Sequence, residues 1–203
     1  MNIQIKISKR PISYTKAINF MNKRVDDLKK NKNKELLWIL EHPTSYTAGI
    51  RFSKNEILDK KIKIIKTNRG GKITLHNPGQ KIIYLILNLN NRKKDIRKII
   101  TMIENSIIEF LKLYKINAKP DKKNVGVWVN KKKIAAIGLR ISRWITYHGC
   151  SINISNDLSQ YSKILPCGLS NQNVTSILNE KKVKIKNVNK KLQEVFIKNI
   201  NKI

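Results

Sequence analysis

Cys167, in Leu165-Pro166-Cys167-Gly168-Leu169, and Lys133, at the head of the apolar run Ile134-Ala135-Ala136-Ile137-Gly138, are the residues of this chain best suited to chemistry. Only a thiolate attacks a carbonyl well, and an unperturbed thiol, with a pKa of about 8.5, is mostly protonated at neutral pH. A neighbouring cation corrects that. A lysine at the mouth of an apolar strand supplies the charge, and because burial lowers its own pKa it also gives and takes protons. The pair points to thiolate-based acyl transfer. On these residues alone a second reading stands beside the first: Cys167 as a small buried hydrophobe, and Lys133 as the last of a solvated Lys131-Lys132-Lys133 run.

Two further stretches carry room for a ligand. In Arg69-Gly70-Gly71 the glycines permit positive φ and close backbone approach, and the alternation of Ile73 and Leu75 reads as a strand entering the core. An ordinary turn between strands explains an isolated Gly-Gly equally well. A phosphate loop is excluded, because Gly70-Gly71-Lys72 leads into a β-branched run and lacks the hydroxyl that would meet magnesium. The small residues Ala135, Ala136 and Gly138 leave space beside a strand for an aliphatic chain, or for close packing of a helix. His76 and His148 each precede a turn and read as structural or substrate-orienting. With three histidines (His42, His76, His148) and no Cys-x-x-Cys or His-x3-His, neither a metal nor any other cofactor is expected.

The formal net charge of +30 invites a nucleic-acid reading. The basic residues argue against it: 35 are lysine and only 8 arginine, scattered along the chain with no basic arm. The charge is mostly a solvated coat that would speed encounter with acidic partners. A length of 203 residues suits one domain, 1–203. No 18-residue apolar stretch or signal-like segment is visible, so a cytoplasmic protein without a membrane partner is expected. Two cysteines make no disulfide framework, and Cys150 reads as a packing residue.

The elements that must position these residues follow from periodicity. Ile3, Ile5 and Ile7 alternate as in a strand, and Ala17, Met21, Val25 and Leu28 recur at helical spacing after Pro11. Segments 36–41, 62–66, 73–75 and 82–89 read as strands. Ile96, Ile100, Ile103, Ile107, Phe110, Leu111 and Tyr114 form a long helical stripe. Segments 126–129, 133–141 and 146–154 are further strands, with Asn130-Lys131 at a turn, and Leu192, Val195, Phe196 and Ile200 mark a last helix. Strands outnumber helices without regular interleaving, which predicts an α+β fold with a mixed, largely antiparallel sheet and packed helices.

Taken in order, several segments resemble the octanoyltransferases of lipoate synthesis, the lipoyl(octanoyl) transferase family. They are Leu37-Trp38-Ile39-Leu40-Glu41-His42-Pro43 with Tyr46-Thr47-Ala48-Gly49, and Arg69-Gly70-Gly71-Lys72-Ile73-Thr74-Leu75-His76-Asn77-Pro78-Gly79-Gln80. Gly126-Val127-Trp128-Val129, the run from Lys133 to Gly138, Arg143-Trp144-Ile145-Thr146-Tyr147-His148-Gly149, Pro166-Cys167-Gly168-Leu169 and Val174-Thr175-Ser176 complete the pattern. The resemblance implies a fold similar to the lipoate and biotin protein ligase catalytic domain. It also implies that Cys167 is the acyl-thioester nucleophile and Lys133 the lysine that lowers its pKa. Arg69, Gly70, Gly71, Lys72, Ile73, Thr74, Leu75 and His76, with Ala136, Ile137, Gly138, Gly149, Cys150 and Ser151, would bind the acyl substrate. The implied donor is octanoyl-acyl carrier protein; the implied acceptors are apo lipoyl domains of 2-oxoacid dehydrogenases and the glycine-cleavage H protein. Two positions depart from the pattern: Asn77 replaces a usual glycine and Ser151 a usual alanine. Since Asn tolerates positive φ, Asn77 is expected to keep its turn at some strain, and Ser151 to narrow or polarise the acyl pocket.

Overall fold

A computed structural model describes residues 3–121, 124–165, 174–182 and 185–203. Seven strands form one sheet in the order β1 (Ile3–Ile7), β2 (Glu35–Leu40), β6 (Gln80–Ile86), β10 (Ile145–Asn153), β9 (Lys132–Ser142), β8 (Gly126–Val129) and β7 (Lys119–Pro120). Only β1 and β2 run parallel; every other pair in this sheet is antiparallel. A small second sheet has the order β4 (Ile64–Lys66), β3 (Ser45–Ala48), β5 (Ile73–His76). The mixed, largely antiparallel α+β architecture expected from the sequence is the one observed.

Alternation along β2 and β6 divides the core in two, because successive side chains leave a strand on opposite faces. Leu37, Ile39, Ile83 and Leu85 turn to one face, where they meet α2 (Ile96–Lys112) and, after the one-turn α3 (Ile177–Glu180), α4 (Val188–Ile200) through Phe110, Leu111 and Phe196. Leu36, Trp38, Leu40, Ile82, Tyr84 and Ile86 turn to the other, covered by Ala17, Met21 and Val25 of α1 (Tyr14–Lys29). Coverage on both sides is why β2 reads as an unbroken Leu36-Leu37-Trp38-Ile39-Leu40 run. A third cluster, with Tyr46, Ile73, Leu75, Tyr161 and Ile164, lies under the small sheet.

Both long helices start at side-chain caps: Ser13 Oγ accepts from the Lys16 N–H at 3.4 Å, and Asp95 Oδ1 from the Lys98 N–H at 3.1 Å. The α2 stripe differs slightly from expectation. Ile99, Met102 and Ser106 are buried, whereas Ile96, the first residue after the cap, is 45% exposed. The β8–β9 and β9–β10 hairpins turn through Asn130-Lys131 and Arg143-Trp144, each pair at positive φ, as two-residue hairpin loops require. Among the described residues, no helix is long and apolar enough to cross a membrane.

Candidate active site

The placement of Lys133 depends on an irregularity in β9. Its register against β8 pairs Ala136 with Gly126 and Ala135 with Val127, but Lys133 with Trp128, so Ile134 is an extra residue. Strict alternation would put Lys133 and Ala136 on opposite faces, three residues apart. The bulge reverses this and turns Lys133 onto the face of Ala136, while Ile134 and Ala135 both enter the helix-side core. Lys133 is only 7% exposed. Its Nζ donates to the Val125 carbonyl at 3.3 Å and lies 4.9 Å from the centroid of the Trp128 ring. Gly126 makes the approach possible: at φ +143° it has a conformation side chains rarely adopt, and a Cβ there would lie 2.6 Å from the Ala135 carbonyl oxygen and 3.3 Å from Lys133 Cε.

The described chain on either side of residues 166–173 is tied down, on the far side directly to this lysine. Cys167, with Pro166, Gly168 and Leu169, lies outside the described residues. On the near side the Leu165 N–H donates to the Glu56 carbonyl at 2.8 Å. On the far side Val174 bridges to Lys133 in parallel, and the Thr175 N–H donates to the Lys133 carbonyl at 3.0 Å. Asn153 Nδ2 fixes the same stretch by donating to the Thr175 carbonyl at 2.9 Å.

A narrow cleft of about 60 Å³ runs from Val125, beside Lys133, across β9, β10 and β6. Cross-strand pairing arranges its floor in two rows, Ala136–Ser151–Ile82 and Gly138–Gly149–Tyr84. Its opposite wall is Arg69, Gly70, Gly71, Lys72, Ile73, Thr74 and His76. Thr74 and His76 face the cleft, whereas Leu75 leaves β5 on the other side and packs with Tyr46 and Tyr161. Ile137 and Cys150 likewise pack into the helix-side core and border the cleft with backbone. Burial pushes the Cys150 thiol far above its ordinary pKa, so it stays protonated.

The turn from Arg69 to Gly71 is built as a rigid unit. The Arg69 guanidinium donates to the Thr47 carbonyl at 2.6 Å, to Thr47 Oγ1 at 2.9 Å and to its neighbour, the Gly70 carbonyl, at 2.9 Å. Gly71 has φ +88°, and the Gly70 N–H donates to Leu139 of β9 at 3.2 Å. Glu56, 3% exposed, pairs with Lys72 Nζ at 3.0 Å and accepts the Ile73 N–H at 3.2 Å. With its carbonyl on the Leu165 N–H, Glu56 joins the end of this turn to the chain leading to Cys167. Asn77 behaves differently from expectation. It is absent from the positive-φ residues, and its turn is held by side-chain bonds, Nδ2 to the Asp157 carbonyl at 2.8 Å and Oδ1 from Asn156 Nδ2 at 2.9 Å, while Gly79 takes φ +85°.

All three histidines converge at the end of the cleft remote from Lys133. His42 Nδ1 donates to the Ile12 carbonyl at 2.6 Å, which leaves Nε2 to accept from Tyr84 Oη at 2.7 Å. His76 Nδ1 donates to Gln80 Oε1 at 2.7 Å, and His148 Nε2 to Asn68 Oδ1 at 2.8 Å. Burial lowers the pKa of His42 to about 4 and of His148 to about 3; for His148 the nearby Arg69 and Arg140 charges lower it further. Burial likewise holds His76 well below its ordinary value, with His42 and Arg69 adding to the effect. The rings are neutral dipoles at physiological pH. His148 also has φ 62°, a strained setting for a non-glycine residue of the kind found at functional sites. Among the described residues no cluster of His, Cys, Asp or Glu could hold a metal ion. Tyr14 and Tyr84 at this end, and Glu56 at the other, had no distinguishing signal in the sequence; His42 stood only within a family-like motif.

The lipoyl protein ligase A/B catalytic domain family matches residues 13–197. An octanoyltransferase of Wolbachia sp. subsp. Brugia malayi is 47% identical over 176 residues, covering 84% of this chain and 86% of that protein. An octanoyltransferase of Ehrlichia chaffeensis is 44% identical over 181 residues, covering 86% and 85%. Among solved structures, lipoate-protein ligase A bound with ATP superposes with a TM-score of 0.77 at 16% identity, over 99% of this chain and 86% of that one. The biotin protein ligase of Aquifex aeolicus gives 0.57 at 13%, over 99% and 70%. These structural likenesses establish the fold that the chain shares with both ligases.

Proposed function

This chain belongs to the lipoyl protein ligase A/B catalytic domain family and transfers octanoyl groups in lipoate synthesis, and from that premise we propose that Cys167 and Lys133 perform the transfer through an acyl-cysteine intermediate. The thiolate of Cys167 attacks the thioester carbonyl of octanoyl-acyl carrier protein. The carbon–sulfur bond to the phosphopantetheine breaks, and its departing thiolate takes a proton from Lys133. The uncharged lysine of an apo lipoyl domain, of a 2-oxoacid dehydrogenase or the glycine-cleavage H protein, then attacks the new thioester. An amide forms, the Cys167 sulfur leaves, and the proton shed by the acceptor nitrogen returns to Lys133. Donor and acceptor need no ATP, because a thioester becomes an amide.

One observation carries this reading: the bulge in β9 turns the buried Lys133 onto the cleft face, at the point where Val174, downstream of Cys167, is bridged to it. The wall from Arg69 to Thr74 and His76, with Ala136, Gly138, Gly149 and Ser151, lines the space for the acyl chain. The same proposal takes 1–203 as one catalytic domain working in the cytoplasm, where a reactive thiol stays reduced. The discriminating experiment compares octanoyl transfer from acyl carrier protein without ATP against transfer from free octanoate with ATP. The first should proceed and the second should not, and Cys167→Ala should abolish the first. The opposite pattern, or a fully active Cys167→Ala variant, contradicts the proposal.

A further inference from the structure

Tyr14 is the first residue of α1 and is 2% exposed, at the end of the cleft farthest from Lys133. Its ring lies parallel to His76, at 12° with centroids 5.7 Å apart, and 5.2 Å from His42. The hydroxyl sits among Thr67, Arg69 and Thr47. Tyr14 also lines a second recess of about 350 Å³, whose other lining residues are Thr15, Ile18, Ile65, Lys66, Thr67 and Asn68. Among the described residues, Tyr14 is the one that borders both the cleft and the recess.

We propose that Tyr14 sets the upper limit of acyl chain length, as the partition between the cleft and this recess. The inference rests on the reading that the cleft holds the acyl chain with its carbonyl toward Lys133. Because Ile134 is the extra residue of the bulge, Ala136 and Gly138 lie two and four regular strand positions along β9 from Lys133, about 7 and 14 Å at ~3.4 Å per residue. Methylenes carried past the Gly138–Gly149–Tyr84 row meet the Tyr14 side chain. That ring cannot swing aside cheaply, because His42 and His76 hold it and both are themselves hydrogen-bonded to backbone or buried side chains. The recess beyond offers Ile18 and Ile65, an apolar lining suited to the methylenes that the partition excludes.

The test is a competition. The protein is mixed with equimolar octanoyl- and tetradecanoyl-acyl carrier protein, and the two covalent adducts are quantified by intact mass. The wild-type protein should favour octanoyl by at least tenfold. Tyr14→Ala should shift the ratio toward tetradecanoyl by tenfold or more, and Tyr14→Leu, which keeps more packing, should shift it in the same direction by less. Tyr14→Phe, which keeps the ring, should retain the wild-type ratio. Adding Ile65→Trp to Tyr14→Ala should fill the recess and reverse the gain. A wild-type protein that takes both chains equally overturns the proposal without any variant. So does a folded Tyr14→Ala or Tyr14→Leu protein that forms the octanoyl adduct with an unchanged ratio. No adduct of either length on the wild-type protein would instead overturn the reading beneath it, and this proposal with it.

Discussion

Along the central strands of the seven-stranded sheet, one face is filled and the other is left partly open. On the helix side, Leu37, Ile83, Leu85 and Ile152 meet Phe110 and Phe196 in a continuous apolar core. On the opposite side β9 and β10 present Ala136, Gly138, Gly149 and Ser151, and the space they leave is walled by the buried polar side chains of Arg69, Thr74, His76 and His148. Neighbouring residues of one strand therefore serve opposite ends. The filled face supplies burial, the main favourable term in folding. The open face gives up part of that burial, on the proposed reading to hold a chain of methylenes, and keeps a lysine and neutral imidazoles out of water, which is costly unless they are bonded.

The largest effect separating the faces is expected at Lys133. Lys133→Met should lower octanoyl transfer by about 1000-fold, ~4 kcal/mol of transition-state stabilisation, with little change in the urea midpoint. Lys133→Arg should also be impaired, because a guanidinium holds the charge but does not release the proton. Single-turnover transfer checks both. The helix face should behave in the opposite sense. Phe110→Ala should cost about 3–5 kcal/mol of stability in urea titration, yet leave transfer per folded molecule within about twofold.

The histidine end adds a pH dependence. His42 and His148 have folded pKa values of about 4 and about 3, below the 6.5 of an exposed imidazole. Between those values the unfolded chain binds protons that the folded protein does not, so stability is full above about pH 6.5 and falls as the pH is lowered toward 4. At pH 5 each of the two should cost about 2 kcal/mol. Unfolding free energies at pH 7.5 and pH 5 measure the loss, and a His148→Gln variant should show less of it. The smallest effect is expected at Gly138. A Cβ there would lie 3.3 Å from Arg69 Cδ and from the Gly70 carbonyl oxygen, so Gly138→Ala requires a shift of a few tenths of an ångström. Octanoylation should slow by about fivefold, ~1 kcal/mol, with stability unchanged.

How legible each face was follows from what each is made of. Strands β2 and β6 and helices α1, α2 and α4 announced themselves because apolar periodicity is written locally. Strand β3 did not: Ser45-Tyr46-Thr47-Ala48 is mostly polar and becomes a strand by pairing with β5 and β4. The wall from Arg69 to Thr74 and the floor at Ala136 and Gly138 were readable as motifs and small residues. The face on which Lys133 sits was not, because the bulge that turns it is a property of the pairing with β8. Tyr14, Tyr84 and Glu56 carried no distinguishing signal in the sequence. Their roles come from contacts across more than fifteen residues of sequence, with Arg69, His42 and Ile73 respectively.

The central claim is the covalent intermediate on Cys167. The most direct measurement is intact-mass spectrometry of the purified protein after mixing with octanoyl-acyl carrier protein in the absence of ATP, followed by peptide mapping. The account predicts a single octanoyl increment on Cys167 that disappears when apo lipoyl domain is added. Transfer that proceeds with no adduct, or with the octanoyl group on any other residue, would contradict it.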